Sequence, residues 1–251
     1  WGQERERKVR LVQDHAVYAG MVEAMDQAVG KVLAALDRAK LAERTIVVFM
    51  SDNGGLSTSE GHPTSNLPWR AGKGWLYEGG LREPWIMRVP GLTQPASQCD
   101  TPVISTDFFP TLLDLAGLPL PSSPHRDGVS LAPLLRGGEV ARRPLFWHYP
   151  HYGNQGGAPG GAVRDGDWKL IEWYEDGSLE LFNLRDDPGE RANLVSQEPD
   201  RVKALRQKLQ AWREDVGAKM PTPNPRFPGG ADASRPPANG MVCSNRYGNF
   251  V

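Results

Sequence analysis

Two stretches of the 251-residue chain carry chemically useful groups at a fixed spacing. The first is Thr45-Ile-Val-Val-Phe-Met-Ser-Asp-Asn-Gly-Gly55, an apolar run that ends on a carboxylate, an amide and two glycines. A carboxylate beside an amide carbonyl offers two hard oxygen donors, the type that Ca²⁺ and Mg²⁺ prefer. Asp52 and Asn53 are therefore candidate metal ligands. The alternative is a strand-end turn, in which Asp and Asn bond their own backbone and the glycines take positive φ. The second stretch is Arg70-Ala-Gly-Lys-Gly-Trp-Leu-Tyr-Glu-Gly-Gly-Leu-Arg-Glu-Pro84, which puts Lys73 twenty-one positions after Asp52 (73 − 52). Flanking glycines let the backbone at Lys73 approach a ligand closely. The plainer alternative is a solvated lysine in a glycine turn.

A Ser-Asp-Asn-Gly turn after an apolar strand, followed about twenty residues on by Gly-Lys-Gly-x-x-x-Glu-Gly-Gly-x-Arg-Glu-Pro, resembles the type I sulfatases. The likeness is to the arylsulfatase and N-acetylgalactosamine-6-sulfatase branch of the alkaline phosphatase superfamily, and it extends over roughly residues 14–220. Either half alone is a weak signal, and the two in order are a strong one. The resemblance implies that Asp52 and Asn53 are two of the Ca²⁺ ligands and that Lys73 contacts the sulfate or the leaving oxygen. For that, the loop 54–72 must fold back so that Lys73 faces Asp52. Glu78 and Arg82 match family positions as well and read as an ion pair that holds the Gly79-Gly80 turn.

The same resemblance implies a Cys or Ser in a Cys/Ser-x-Pro-x-Arg motif, converted to a formylglycine nucleophile. Cys99 is followed by Asp-Thr-Pro-Val and Cys243 by Ser-Asn-Arg-Tyr, so neither cysteine opens it. The expectation is that no serine here serves either. The first Asp-Asp pair of metal ligands is also missing, and the position of His15 does not match the family's catalytic histidine. The chain thus reads as the C-terminal portion of a sulfatase, inactive alone. Two other functions stay open: a related phosphoesterase or phosphonate hydrolase, and a non-catalytic carbohydrate-binding relic.

The elements that must position these groups read as α/β. An uninterrupted apolar run such as residues 45–50 is the habit of a parallel-sheet strand buried on both faces, and such strands carry ligands at their carboxyl ends. Tyr18, Met21, Val22, Met25, Val29, Val32, Leu33 and Leu36 recur at three- and four-residue steps, a helix over 14–40 with one core-facing stripe. Residues 54–84 have little periodicity and read as a long functional loop. Trp85–Pro90 is a strand. Residues 106–117 are a helix with Thr106 as N-cap and Gly117 as stop, in which Asp107 favours the helix dipole and Asp114 lies on the polar face. Residues 127–135 form a turn and short helix.

Beyond Gly137-Gly138, short strands at 145–149, 162–164, 168–174 and 179–183 precede a helix at about 199–216, with Val202, Leu205, Leu209 and Trp212 on one face. The expected fold is part of an alkaline-phosphatase-like sheet with flanking helices in 1–137, then a small antiparallel sheet plus C-terminal helix in 138–220. Residues 221–251 form a Pro/Gly-rich tail with too few core-forming residues to demand order. Charge-dense residues 1–13 read as a solvated lead-in.

His62, His148 and His151 stand in glycine-, proline- and aromatic-rich loops that would suit the lining of a sugar cleft; exposed structural loop histidines are the alternative. A net charge of −1 gives no ground for electrostatic capture of nucleic acid. No apolar run approaches the roughly 20 residues that span a bilayer. The two cysteines are too few for a disulfide framework, although one bridge between them stays open. The family resemblance implies a sulfated small molecule or glycan as substrate, and a periplasmic or secreted location.

Overall fold

The computed structural model describes residues 1–120, 127–224 and 241–242. The chain packs as two compact units, both discontinuous. One comprises residues 1–18, 51–83 and 144–251, the other residues 19–50 and 84–143. The loop 51–83, expected to belong with the preceding strand, instead packs with the C-terminal sheet.

The first unit is built on a four-stranded antiparallel meander. It comprises β5 (Leu145–Tyr149), β6 (Gly160–Asp165), β7 (Trp168–Trp173) and β8 (Leu179–Asn183), paired in that order. Alternation along each strand gives the sheet two different faces. Val163, Leu170 and Leu181 point to one side, where Leu205 and Leu209 of α5 (Pro199–Asp215) cover them. Phe146 and Trp212 stack there, ring centroids 5.0 Å apart. Glu172, on that side too, holds Arg206 and Arg213 of α5 at 2.8 and 2.7 Å. The expected C-terminal helix and its apolar face are thus as the periodicity indicates.

Ala162, Ile171, Trp173 and Phe182 point to the other side, where the 71–77 segment packs on them through Ala71, Trp75, Leu76 and Tyr77. The Tyr77 hydroxyl donates to Glu180 at 2.8 Å. The sheet is therefore a platform for the loop that carries Lys73. Residues 1–13 are mostly exposed, as a solvated lead-in would be, but they are not without structure. β1 (Gly2–Glu4) and β2 (Arg7–Val9) form a hairpin, and Arg70 holds Glu4 through two 2.8 Å bonds. Glu4 is buried by this pairing, while Arg5, Glu6, Arg7 and Lys8 stay exposed. β9 (Thr222–Pro223) pairs with β10 (Met241–Val242), so part of the expected tail is a short ribbon.

The second unit corrects the parallel-sheet expectation. β3 (Val47–Met50) pairs antiparallel with β4 (Trp85–Arg88), in the register Val47↔Arg88 through Met50↔Trp85. No β3 residue is fully buried. The helix α1 (Ala16–Arg38) begins in the first unit, where His15 Nδ1 accepts the Tyr18 N–H at 3.1 Å, and runs into the second. None of its residues is buried, and Met21 and Val32 of the expected core stripe are 63% and 61% exposed. Tyr18, Val29, Leu33 and Leu36 of the stripe are half-buried, so the described residues cover it only in part.

Near Asp107 the second unit is tightly bonded. A 3-10 turn (Ser105–Asp107) leads into α3 (Phe108–Leu115), and α4 (Ala132–Leu135) follows. The buried Asp107 carboxylate accepts the Ile104 and Val129 N–H groups and pairs with Arg143, so it acts as cap and anchor where Thr106 was expected to cap. Asp114 accepts from Ser130. Gly117 takes φ 67° and stops the helix.

Candidate active site

The loop between Ser51 and Glu83 is knotted through its backbone. The Lys73 N–H donates to the Gly55 carbonyl at 3.2 Å, and the Gly54 N–H to the Gly80 carbonyl at 3.3 Å. The Gly79 N–H donates to Arg70 O at 2.9 Å. Asn66 Nδ2 bridges Gly55 O and Ala71 O at 2.7 and 2.8 Å, and the Ser57 hydroxyl donates to Ala71 O at 3.0 Å. The turn that ends in Gly55 and the turn that carries Lys73 are therefore laced together, although Asp52 and Lys73 are both exposed.

These contacts explain why both motifs are rich in glycine. A Cβ on Gly54 would stand 1.9 Å from Gly79 O, one on Gly80 2.2 Å from Trp75 O, and one on Gly72 2.2 Å from Gly55 O. The requirement is for space between backbones. None of these three glycines has a positive φ, which corrects the turn-conformation reading for Gly54; Gly74, after the lysine, does at 83°. Forcing a methyl into such a gap strains a packed interior by about 1–3 kcal/mol, and more where backbone must move. Gly54→Ala should therefore lower stability by at least that amount in urea denaturation. Unchanged stability would show that the loop is looser than these distances.

Glu78 opens the short helix α2 (Glu78–Leu81), and its partners differ from those expected. Its carboxylate pairs with Lys169 at 2.9 Å and with Arg164 at 3.4 Å. Arg82 stacks over the Trp69 ring, 4.1 Å from its centroid, and reaches Glu78 only as a more distant charge. Lys169 also pairs with Glu190 at 2.8 Å, and Glu190 accepts the Glu78 N–H at 2.6 Å. Burial pushes the Glu78 carboxyl up, but Lys169 and Arg164 outweigh it, so Glu78 stays below the usual carboxylate range. Burial wins at Glu190, whose carboxyl is pushed up.

Asn53 O accepts from the Ser51 hydroxyl at 2.9 Å. Near Asp52 lies Glu83, which sequence reasoning passed over as the middle of Arg-Glu-Pro. Its Oε1 is buried without a hydrogen-bond partner. Burial first, and the Asp52 charge second, push the Glu83 carboxyl up to about 7. An acidic, incompletely bonded environment next to two hard oxygen donors fits a divalent cation. Among the described residues no three His, Cys, Asp or Glu side chains come together as a metal cage.

The three histidines each have local partners. His148 has both nitrogens in use: Nε2–H donates to Lys219 O at 2.9 Å, which leaves Nδ1 to accept the Tyr174 hydroxyl at 2.7 Å. Burial lowers its pKa, in keeping with the neutral ring that this pairing needs. His151 packs edge-on to Tyr149 and acts on His148 only as a nearby charge. His62 lies edge-on to Trp1, and its carbonyl accepts from Arg10 Nε at 2.5 Å.

The serine expectation also needs correcting. Ser122-Ser-Pro-His-Arg126 spells Ser-x-Pro-x-Arg. It lies outside the described residues and follows Asp52 and Lys73 in the chain, whereas the resembled motif belongs upstream of the Asp-Asn pair. Cys99 is exposed, and Cys243 lies outside the described residues.

The family of this α/β chain, with its glycine-laced loop on an antiparallel platform, follows from comparison with known proteins. Residues 2–118 match the family model described as Sulfatase, and residues 69–215 the one described as N-sulphoglucosamine sulphohydrolase, C-terminal. The chain belongs to the sulfatase family. It is 41% identical to a sulfatase of Formosa agariphila over 221 residues, 78% of this chain and 39% of that one. It is 35% identical to human arylsulfatase A over 225 residues, 78% of this chain and 43% of that one. Its fold is similar to Ps i-CgsB, solved in complex with k-i-k-neocarrahexaose, with TM-score 0.71, 29% identity, and coverage of 82% and 44% of the two chains. It is also similar to a protein solved with its substrate D-glucosamine-2-N,6-O-disulfate, with TM-score 0.66, 28% identity and coverage of 78% and 39%. The chain thus spans about two fifths of the length of these relatives. No helix among the described residues is long and apolar enough to cross a membrane.

Proposed function

We propose that this chain carries part of the active site of a sulfatase that hydrolyses a sulfate ester on a sugar. In this reading the formylglycine nucleophile and the remaining metal ligands come from outside these 251 residues. The observation that carries it is the lacing of the two motifs, with the Lys73 N–H on Gly55 O and the Gly54 N–H on Gly80 O. Asp52 and Asn53 would hold Ca²⁺ through their side-chain oxygens. A bound Ca²⁺ would supply Lewis-acid stabilisation of the charge that builds on the sulfuryl oxygens. Lys73 donates from its ammonium to the sulfate or the leaving oxygen, and so orients the ester and stabilises charge as the S–O bond breaks.

Three further features support the reading. The unpartnered Glu83 oxygen beside Asp52 marks an acidic spot suited to a cation. The exposed apolar side chains of α1, with Val17 at 71% exposed, suit a helix that additional chain covers. The structural neighbour with a disulfated glucosamine substrate favours a sulfated glycan. A periplasmic or secreted location accompanies such a substrate in this proposal.

The test is the complete protein assayed on 4-nitrocatechol sulfate and on an aryl phosphonate monoester, with and without Asp52→Ala. The proposal expects preference for the sulfate and weaker Ca²⁺ binding by Asp52→Ala in calorimetry, because a charged ligand is lost. Faster turnover of the phosphonate would favour the phosphonate-hydrolase alternative. Unchanged Ca²⁺ affinity would remove Asp52 from the metal shell.

A further inference from the structure

The buried ion cluster at Glu78 does more than fill space. Lys169 is fully buried on the loop-facing side of β7, beside Ile171 and Trp173. Its ammonium has three donors; it reaches Glu78 Oε1 at 2.9 Å and Glu190 Oε1 at 2.8 Å. Glu190 Oε2 in turn accepts the backbone N–H of Glu78 at 2.6 Å. Lys169, Glu78 and Glu190 therefore close a ring that grips both the side chain and the backbone of the first residue of α2. Arg164 supplies the fourth charge, so two carboxylates face two cations.

A buried ionic cluster is a poor way to gain stability, since apolar residues of the same volume often do as well. What it adds is a fixed direction at one point. The two residues after that point, Gly79 and Gly80, carry the bonds to Arg70 O and from the Gly54 N–H. The Arg70 side chain also donates to the Glu190 carbonyl at 2.9 Å. Both arms of the candidate site thus hang from α2: the Arg70–Lys73 arm through Gly79, and the Asp52–Gly55 arm through Gly80. The tight glycine contacts leave little slack between clamp and site.

We propose that Lys169 and Glu190 are positioning residues for the active site, holding Glu78 so that the Lys73 arm and the Asp52-Asn53 arm keep one geometry. This rests on the reading of those arms as the site. Lys169 pairs with Glu78 and Glu190 and acts through them.

The test is hydrogen–deuterium exchange by mass spectrometry on the complete protein and three variants. Lys169→Met should speed exchange about tenfold or more in peptides covering Gly54–Gly55 and Gly72–Gly80, while the β6–β7 ladder keeps its protection. Leu209→Ala, which removes packing from the opposite face of the sheet, should loosen α5 and spare the loop. Glu190→Gln keeps an oxygen for the Glu78 N–H but drops the charge facing Lys169. It should give a weaker form of the Lys169→Met pattern, and it serves if that variant fails to fold. In the complete enzyme Lys169→Met should lower kcat more than it changes KM for the aryl sulfate. Uniform loosening in Lys169→Met or Glu190→Gln, an unaffected loop, or equal loosening by Leu209→Ala would overturn the proposal. The exchange pattern involves neither Ca²⁺ nor sulfate, so loss of the sulfatase reading through the Asp52 experiment would show itself separately.

Discussion

Lys73→Ala in the complete sulfatase should lower turnover of 4-nitrocatechol sulfate about a hundred- to thousand-fold, the usual cost of removing one preorganised donor to developing negative charge, about 2.7–4 kcal/mol. The lysine is exposed while its backbone is tied to Gly55, so truncating the side chain leaves the loop in place. Ca²⁺ affinity should therefore stay close to that of the unaltered enzyme, in contrast to Asp52→Ala. This separation is the useful part of the experiment. A lysine that merely solvated a glycine turn would give a variant with ordinary turnover. One that held the loop together would lose metal binding and turnover alike.

The second large effect is an absence of activity. The 251-residue chain alone should not hydrolyse the same aryl sulfate above background, because in the proposal the formylglycine nucleophile lies outside the two laced motifs. Ser122 is the one serious challenge, since its surrounding residues spell the expected motif. Its place after Lys73 in the chain, instead of upstream of Asp52, is the reason to expect nothing from it. Turnover by the purified chain that disappears in both Lys73→Ala and Ser122→Ala would contradict that expectation and make Ser122 the modified residue.

Much of the site was legible because its motifs are local. Ser51–Gly55 and Gly72–Pro84 each fit within a short window, and their residue types speak directly to chemistry. The reason for their glycines was not legible. It lies in backbone approaches between segments some twenty-five residues apart, such as Gly54 against Gly79. The partners of Glu78 were missed for the same reason. Arg82 is four residues away and was the natural choice, whereas Lys169 and Glu190 are 91 and 112 positions distant. A hint was available in Trp168-Lys-Leu-Ile-Glu-Trp173, where Lys169 shares a strand face with Ile171 and Trp173 and so had to be buried with a counter-charge.

The meander and α5 followed the period-2 and period-3.6 patterns because both faces of that sheet are covered within this chain. β3 and α1 misled for the opposite reason. Among the described residues the helix stripe is only partly covered, with Met21 and Val32 exposed and Val29, Leu33 and Leu36 half-buried, and the strand pairs antiparallel with β4.

The central claim is that Asp52, Asn53 and Lys73 address one sulfate through one cation site. A crystal structure of the complete protein with Ca²⁺ and inorganic sulfate tests it most directly. The account predicts Ca²⁺ on the side-chain oxygens of Asp52 and Asn53, with a sulfate oxygen toward it and another accepting from Lys73 Nζ. Ca²⁺ bound elsewhere, or Asp52 and Lys73 turned to opposite faces of the loop with the sulfate touching only one of them, would contradict it.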